Sequence, residues 1–413
     1  MKVLYVEASA GSVVGGSLTG LLHLVAGLDR ARYSTAVVLY EDKPMVDELR
    51  ASGVPVHVVR RRKLPKQHAL QGARSFEAAK SRPGLGAVMK GARRFAAFGL
   101  ETIPSMLRLI PIIRAEAPDL VHVCNGFRGN LDAILAARFC RIPCVVHNKG
   151  FDKLSYLERW ASRGVAAALS MTRAIEKHCK QGDLKPARWQ VSYDGIDAAS
   201  FRVQREPAAV REELGIPIDA ALVGVVGNIQ EWKGQIVLIE ALGLLTSKYP
   251  RLCALLVGGV HSSGSEYASR LRERIAELGL VDRVILTGPR DDVPDVMRAM
   301  DIVVHTSVRG EPFGRVIIEA MSVGRPVIAT RAGGVPEFVR DGEDGLLVEP
   351  GDPVALAASL DRLLGDAAEY ERLRAGASAA AQRFTIERHV GEVTALYDEI
   401  VVPVSGRVEG GDQ

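Results

Sequence analysis

The sequence predicts an α/β protein made of two Rossmann-like, doubly wound domains. Three observations carry this. Short β-branched runs alternate with longer helical patterns from end to end, which is how buried parallel strands and their crossover helices read. The runs fall into two series, parted by a polar stretch that extends to Gly215. The length, 413 residues, is about that of two ordinary domains.

In chain order, the first series places strands at Lys2–Glu7, Thr35–Tyr40, Val56–Val59, Leu120–Val123, Cys144–His147 and Ala168–Met171, with a further strand-like run at Val191–Tyr193. The second places them at Leu222–Gly227, Cys253–Val257, Val284–Leu286, Ile302–His305, Pro326–Ala329 and Gly345–Val348. Each run is short and nearly all apolar, as expected where both faces of a sheet are covered. The break falls near Asp194-Gly195-Ile196-Asp197, so residues 1–195 form one domain and 196–385 the other. A last helix lies within 386–403, about Ile386–Val401, and ends at Pro403. Residues 404–413 are small and polar and read as a disordered tail. In two such sheets a ligand is expected where the carboxyl ends of the strands of both face a central cleft.

With 47% apolar and 25% charged residues, the composition is that of a soluble globular protein. A net charge of +4 gives no reason to expect nucleic acid as a partner. Cys124, Cys140, Cys144, Cys179 and Cys253 form no C-x-x-C pair, so neither a zinc ribbon nor a dithiol redox site is indicated, and reduced thiols in a cytosolic protein are expected. The N-terminal run Val3 to Val6 is too short for a signal peptide. No uncharged apolar run reaches the ~18 residues of a membrane span. The expected location is therefore cytoplasmic, or peripheral on the inner face of the cytoplasmic membrane. One segment supports the second option. From Arg60 to Arg94 there are eleven Lys or Arg against the single acid Glu77, with Phe76, Leu85, Val88 and Met89 interspersed. Such a basic amphipathic insert can lie on an anionic surface or meet an anionic acceptor; as a solvated loop it would do neither.

The chemistry-bearing residues sit at predicted strand ends. Gly310-Glu311-Pro312-Phe313-Gly314 is a turn leading into a helical run that holds Glu319, eight positions after Glu311. A loop carboxylate, a helix carboxylate and the free amides of the helix start suit a sugar carried on a phosphate. Gly227-Asn228 closes a strand, and Lys233-Gly234 precedes a helix, where a lysine can balance a departing diphosphate and Asn228 can donate to it. Gly11 to Gly16 follows the first strand, but its spacing departs from the dinucleotide pattern. His147 closes a strand and could touch a substrate hydroxyl, whereas His122 and His305 read as satisfied core histidines. Arg290 follows a strand and could reach a nucleotide base or stay in solvent. Gly333-Gly334 permits close backbone approach, and Glu337 could cap the helix it starts.

With these pieces in order, the chain resembles a retaining glycosyltransferase of family 4, a GT-B enzyme of the group 1 type. The resemblance is most specific in Lys233-Gly234, Asp301-Ile302-Val303-Val304, Glu311 with Glu319, Pro312-Phe313-Gly314 and Gly333-Gly334-Val335-Pro336-Glu337. It implies that Glu319 binds the donor ribose, Glu311 the donor sugar, and Lys233 the diphosphate. It also implies that the amides around Phe313 and Gly314 hold sugar hydroxyls, that Gly16 lies beside the phosphates, that His147 contacts the transferred sugar, and that the last helix crosses back to the first domain. The family commonly has Arg where this chain has Asn228, and Asn where it has Asp194. The implied reaction moves a hexose from a UDP- or GDP-sugar to an acceptor alcohol, for which a lipid-linked glycan or surface polysaccharide precursor is expected. No metal is required on this reading, and the chain contains no Asp-x-Asp. Alternatives are a nucleotide-sugar epimerase of similar architecture, a non-catalytic sugar-nucleotide-binding protein, and a nicotinamide-dependent dehydrogenase. Intact Glu311, Glu319 and Lys233 count against the binding protein, and the glycine spacing against the dehydrogenase.

Overall fold

A computed structural model describes residues 1–8, 16–42, 45–61, 96–197, 201–261 and 264–401. The glycine loop before Gly16, the basic insert beyond Arg61 and the C-terminal tail lie outside these. The chain forms two compact units, one of residues 1–170, 176–191 and 392 onward, the other of 171–175 and 192–391.

The first unit holds a seven-stranded sheet of β1 (Lys2–Glu7), β2 (Ser34–Leu39), β3 (Val56–Val58), β4 (Leu120–Val123), β5 (Cys144–Asn148), β6 (Ala167–Ser170) and β7 (Trp189–Val191). Their order is β3-β2-β1-β4-β5-β6-β7, and every pairing is parallel. The order reverses between β1 and β4. At that point Glu7, buried at the end of β1, accepts a hydrogen bond from Asn125 just past β4. From the last helix, Ile386–Ile400, Tyr397 is buried in this unit, with its hydroxyl at His122 Nδ1 and bonded to Tyr5. Asp398 accepts from Tyr33 and Arg32, each at 2.8 Å.

The second unit holds β8 (Leu222–Val226), β9 (Cys253–Val257), β10 (Val284–Gly288), β11 (Ile302–His305), β12 (Val327–Thr330) and β13 (Leu346–Val348). Their order is β10-β9-β8-β11-β12-β13, again wholly parallel. Each of the twelve strands in the two predicted series is present, with ends shifted by no more than a residue or two. The strand-like run at the break sits two residues earlier, as β7, because Tyr193 stacks on Phe313, ring centroids 6.3 Å apart, rather than continuing the first sheet.

Parallel strands need hydrophobic cover on both faces. In the second unit one face is covered by the apolar sides of Gln235–Leu245, Ser265–Glu277 and Pro353–Gly365, through Leu238, Leu242, Leu271, Leu356 and Leu360. A buried guanidinium in this unit is fully occupied. Arg211 grips both oxygens of Asp301 at 3.0 Å and donates to the carbonyls of Ala299, Ala220 and Ile218. Asp301 in turn accepts from Leu222 N at 2.7 Å. The carboxylate thus ties the start of β8 to the start of β11, a structural reason for an aspartate there. Among the described residues no helix is long and apolar enough to cross a membrane.

Removing one partner of a buried ion pair strands the other. Asp301 is one-third exposed, so Arg211→Leu is expected to cost about 2–3 kcal/mol, below the full loss for a wholly buried pair. It should appear in urea unfolding as an earlier transition of the second unit; a midpoint equal to wild type would refute the pairing's role.

Candidate functional site

The order of the second sheet reverses between β8 and β11. Loops leaving those two strands diverge and leave a crevice. After β8 the chain makes a single turn at Glu231–Lys233, and Gly234 (φ +65°) starts the next helix. After β11 it runs from Thr306 to Gly314 (φ +87°), which starts Arg315–Ser322. The two loops are locked together: Val308 N donates to Trp232 O at 2.9 Å and Thr306 Oγ1 to Lys233 O at 2.8 Å. The fit is close enough that a Cβ on Gly234 would stand 2.2 Å from the Thr306 carbonyl oxygen. The turn after β12 closes the other side. Gly334 N donates to Glu311 O at 2.9 Å, and a Cβ on Gly333 (φ +64°) would stand 2.1 Å from that same oxygen.

These backbone locks bring Lys233 and Glu311 together. Lys233 Nζ lies 2.8 Å from Glu311 Oε2. Ser307 Oγ donates to the same oxygen at 2.8 Å, and His305 Nε2 is 3.1 Å from it. Behind His305, Thr330 Oγ1 lies 3.1 Å from Nδ1. Glu311 is only 6% exposed. Burial alone would raise its pKa, but the hydrogen bond from His305 and the Lys233 cation outweigh it and bring the carboxyl down to about 2. Glu319 is different. Burial pushes its pKa up, only partly offset by Arg315, whose Nε is 3.4 Å away. Phe313 is buried and supports the turn from below, against Phe338 at 5.0 Å and Phe384 at 6.3 Å.

The other expected site residues are placed as follows. Asn228 is exposed at the end of β8, its carbonyl accepting from Gln235 Nε2 at 3.0 Å. Arg290 stands apart from the Lys233–Glu311 network, held by Asp292 at 2.6 Å and Glu213 at 2.8 Å, carboxylates that Arg205 also bridges. Gly16 opens the helix Gly16–Gly27 of the first unit. His147 is buried near the end of β5, its ring 5.6 Å from that of His122. One expectation is corrected: Glu337 does not cap the turn it ends. It accepts from the backbone N–H groups of Arg173 and Ala174, each at 2.7 Å, and from Tyr193 Oη at 3.0 Å. His305 is satisfied, as its apolar strand suggested, but by the site itself. Ser307 and Thr330 were not singled out; the four-residue step from Ser307 to Glu311 was the available signal. Among the described residues no cluster of three or more His, Cys, Asp or Glu is placed to hold a metal ion.

Comparison with known proteins bears on what this crevice is for. Residues 208–380 match the family Glycosyl transferases group 1, and residues 15–195 match a glycosyl transferase 4-like domain. The chain belongs to the group 1, family 4 glycosyltransferases. Among curated relatives of this group 1 member, D-inositol 3-phosphate glycosyltransferase of Salinispora tropica is 38% identical over 230 residues, 53% of this chain and 48% of that protein. The same-named protein of Acidothermus cellulolyticus is 36% identical over 219 residues, 52% of this chain and 48% of that protein. The chain thus spans about half the length of the curated relatives it matches. Among solved structures, Anabaena Alr3699/HepE in complex with UDP has a TM-score of 0.79 at 26% identity, covering 97% of this chain and 100% of that one. Its complex with UDP-glucose gives 0.76 at 26%, over 96% and 99%. The two parallel α/β units are those of the GT-B class.

The lowered pKa makes Glu311 a stabilising charge. Its contribution, on the order of 3 kcal/mol, is present above the unfolded value near pH 4.5 and is lost as pH falls toward about 2. The stability gap between wild type and Glu311→Gln should therefore shrink across that window in urea titrations. A gap that stays constant from pH 5 to about pH 2.5 would contradict the assignment.

Proposed function

We propose that this protein is a retaining glycosyltransferase moving a hexose from a nucleotide diphosphate sugar, with UDP ahead of GDP as the base, to an acceptor alcohol. The convergence of Lys233 on Glu311 at the reversal of the second sheet carries this reading. A cation and an anchored carboxylate, with Glu319 eight residues on, match the three parts of such a donor. Lys233 offsets charge on the leaving diphosphate, Glu311 accepts from sugar hydroxyls, and Glu319 accepts from the ribose. The amides at Phe313 and Gly314 hold the sugar, and Asn228 replaces a charged contact with a neutral one. In the reaction, the acceptor oxygen bonds to the anomeric carbon on the face from which the diphosphate leaves. The acceptor's proton passes to the departing phosphate oxygen, and the nucleoside diphosphate is released. Roles proposed for His147 and Gly16 rest on the family resemblance, as does a base contact by Arg290, whose two carboxylate partners would have to share it. The Anabaena protein, solved with UDP and with UDP-glucose, supports the choice of base.

The acceptor is proposed to be anionic. The eleven basic residues of Arg60–Arg94 support a lipid-linked glycan or polysaccharide precursor met at an anionic membrane, with the enzyme peripheral on the inner face. The relatives named for inositol 3-phosphate support a phosphorylated polyol instead. Flotation with anionic and neutral vesicles separates the two: equal flotation would count against the membrane-bound acceptor. The same donor incubated alone tests the epimerase alternative, which would yield an isomeric sugar nucleotide.

A thermal-shift panel of nucleotide sugars is expected to single out UDP-sugars, since a ligand at a hundred times its Kd adds about 2.7 kcal/mol. No shift with any of them would overturn the reading. Lys233→Ala should cost about 2–4 kcal/mol of transition-state stabilisation in kcat/KM, by analogy with loss of one oxyanion donor. Glu319→Gln should weaken nucleotide binding without lowering stability at pH 7, because burial already disfavours its charge. A stability loss comparable to that of Glu311→Gln would show Glu319 to be structural.

A further inference from the structure

Glu311 uses its two carboxylate oxygens unequally. Lys233 Nζ, Ser307 Oγ and His305 Nε2 all meet at Oε2, and none of the described residues bonds Oε1. Three donors on one oxygen fix the orientation of the group and leave the other oxygen's lone pairs for something else.

His305 is the stiffest of the three. Lysine hangs on a four-carbon stem and serine is a single rotor, whereas the imidazole is a rigid ring held at both nitrogens. It is 4% exposed and bridges two adjacent strands: Thr330, on β12, faces Nδ1 at 3.1 Å, and Glu311 faces Nε2 at 3.1 Å. An ionised carboxylate only accepts, and Ser307 Oγ, 3.0 Å from the same Nε2, gives its single hydrogen to Glu311, so the Nε2 that faces both oxygens carries hydrogen. In a neutral ring Nδ1 is then an acceptor, and the Thr330 hydroxyl can donate to it. A neutral ring also leaves one cation, Lys233, against one anion.

We propose that His305, set as the neutral Nε2–H tautomer by Thr330, is a positioning residue that anchors Glu311 Oε2 and so presents Oε1 to the hydroxyls of the donor sugar. This rests on the donor-site reading above and assigns work to two side chains that the resemblance leaves without a role. Oε1 serves the sugar and not the nucleotide. Loss of the anchor therefore affects UDP-glucose and spares UDP.

Two measurements test it on the full-length protein. Nitrogen-15 NMR of labelled histidine reads the tautomer without any donor. The Nε2–H form is expected in wild type and a mixture in Thr330→Val, while an Nδ1–H or doubly protonated ring at pH 7 overturns the proposal. The second measurement is UDP release from UDP-glucose without acceptor, together with the Kd of UDP. His305→Leu is expected to lower kcat/KM about 10- to 100-fold, as loss of an orienting partner does, with the Kd of UDP unchanged. His305→Gln, which keeps a donor near the Nε2 position, should recover most of the loss. Unchanged kcat/KM in His305→Leu, or an equal loss of UDP affinity, overturns it. If wild type neither binds nor cleaves UDP-glucose, the donor reading fails, and the tautomer alone decides whether His305 anchors Glu311.

Discussion

The ion pair between Lys233 and Glu311 is the constraint around which the second unit's crevice is arranged. Taking two charges out of water costs several kcal/mol per ion, and their attraction offsets this only if further hydrogen bonds complete the group. Here they do. Ser307 and His305 add two donors at Oε2, and the backbone on both sides is pinned by Val308 to Trp232 and by Gly334 to Glu311. A hydrophobic pair of the same volume could stabilise the fold as well. What the charged pair adds is position: a carboxylate held to one geometry at the mouth of a sheet. Gly234 and Gly333 belong to the same constraint, because any side chain on either would push the loops apart.

The sheet explains why these residues meet at all. With strand order β10-β9-β8-β11-β12-β13, crossovers from β8 and from β11 travel in opposite directions, so their first loop residues are left side by side. Lys233 and Glu311 are separated by 78 positions in sequence and by one strand spacing in the fold. The first sheet reverses in the same way between β1 and β4, and it too places a buried carboxylate, Glu7, at that point with an amide partner, Asn125. The two units thus repeat a plan, and in the second the neighbouring loop supplies a cation, Lys233, to the carboxylate.

Much of this was legible in the sequence, and the exceptions have physical causes. Strands were legible because fully buried parallel strands are runs of Val, Leu and Ile; β4 and β11 are bounded as their apolar runs suggest. Lys233, Glu311 and Glu319 stood out through strand-end and helix-start positions. The pairing of the first two did not, since a side-chain contact across 78 positions has no periodic signature. His305 reads as a core residue because it ends an apolar strand, and it is one by burial; its function lies in what satisfies it. Glu337 also finds its partners through tertiary structure. A carboxylate at the start of a helical turn suggests a local cap, but tertiary structure brings the amides of Arg173 and Ala174 to it. Arg290 shows the converse: a strand-end arginine looks available until Asp292 and Glu213 are seen to hold it.

The charge state of the crevice follows from these placements. Lys233 is paired with Glu311, Asn228 is neutral, and Arg290 is balanced by its own acids, so none of these three offers an anion an unpaired charge. Under the proposed function, a diphosphate must then be met chiefly by oriented dipoles: the amides of the glycine turns and the start of Arg315–Ser322, where Gly314 leaves N–H groups unbonded within the helix. Dipoles held by a locked backbone need little reorganisation when charge develops on a leaving group. That is the setting in which a neutral pair is useful. Lys233 can turn one of its three protons toward the phosphate while Ser307 and His305 keep Glu311 in place, so the lysine can respond to the leaving group without releasing the carboxylate that holds the sugar.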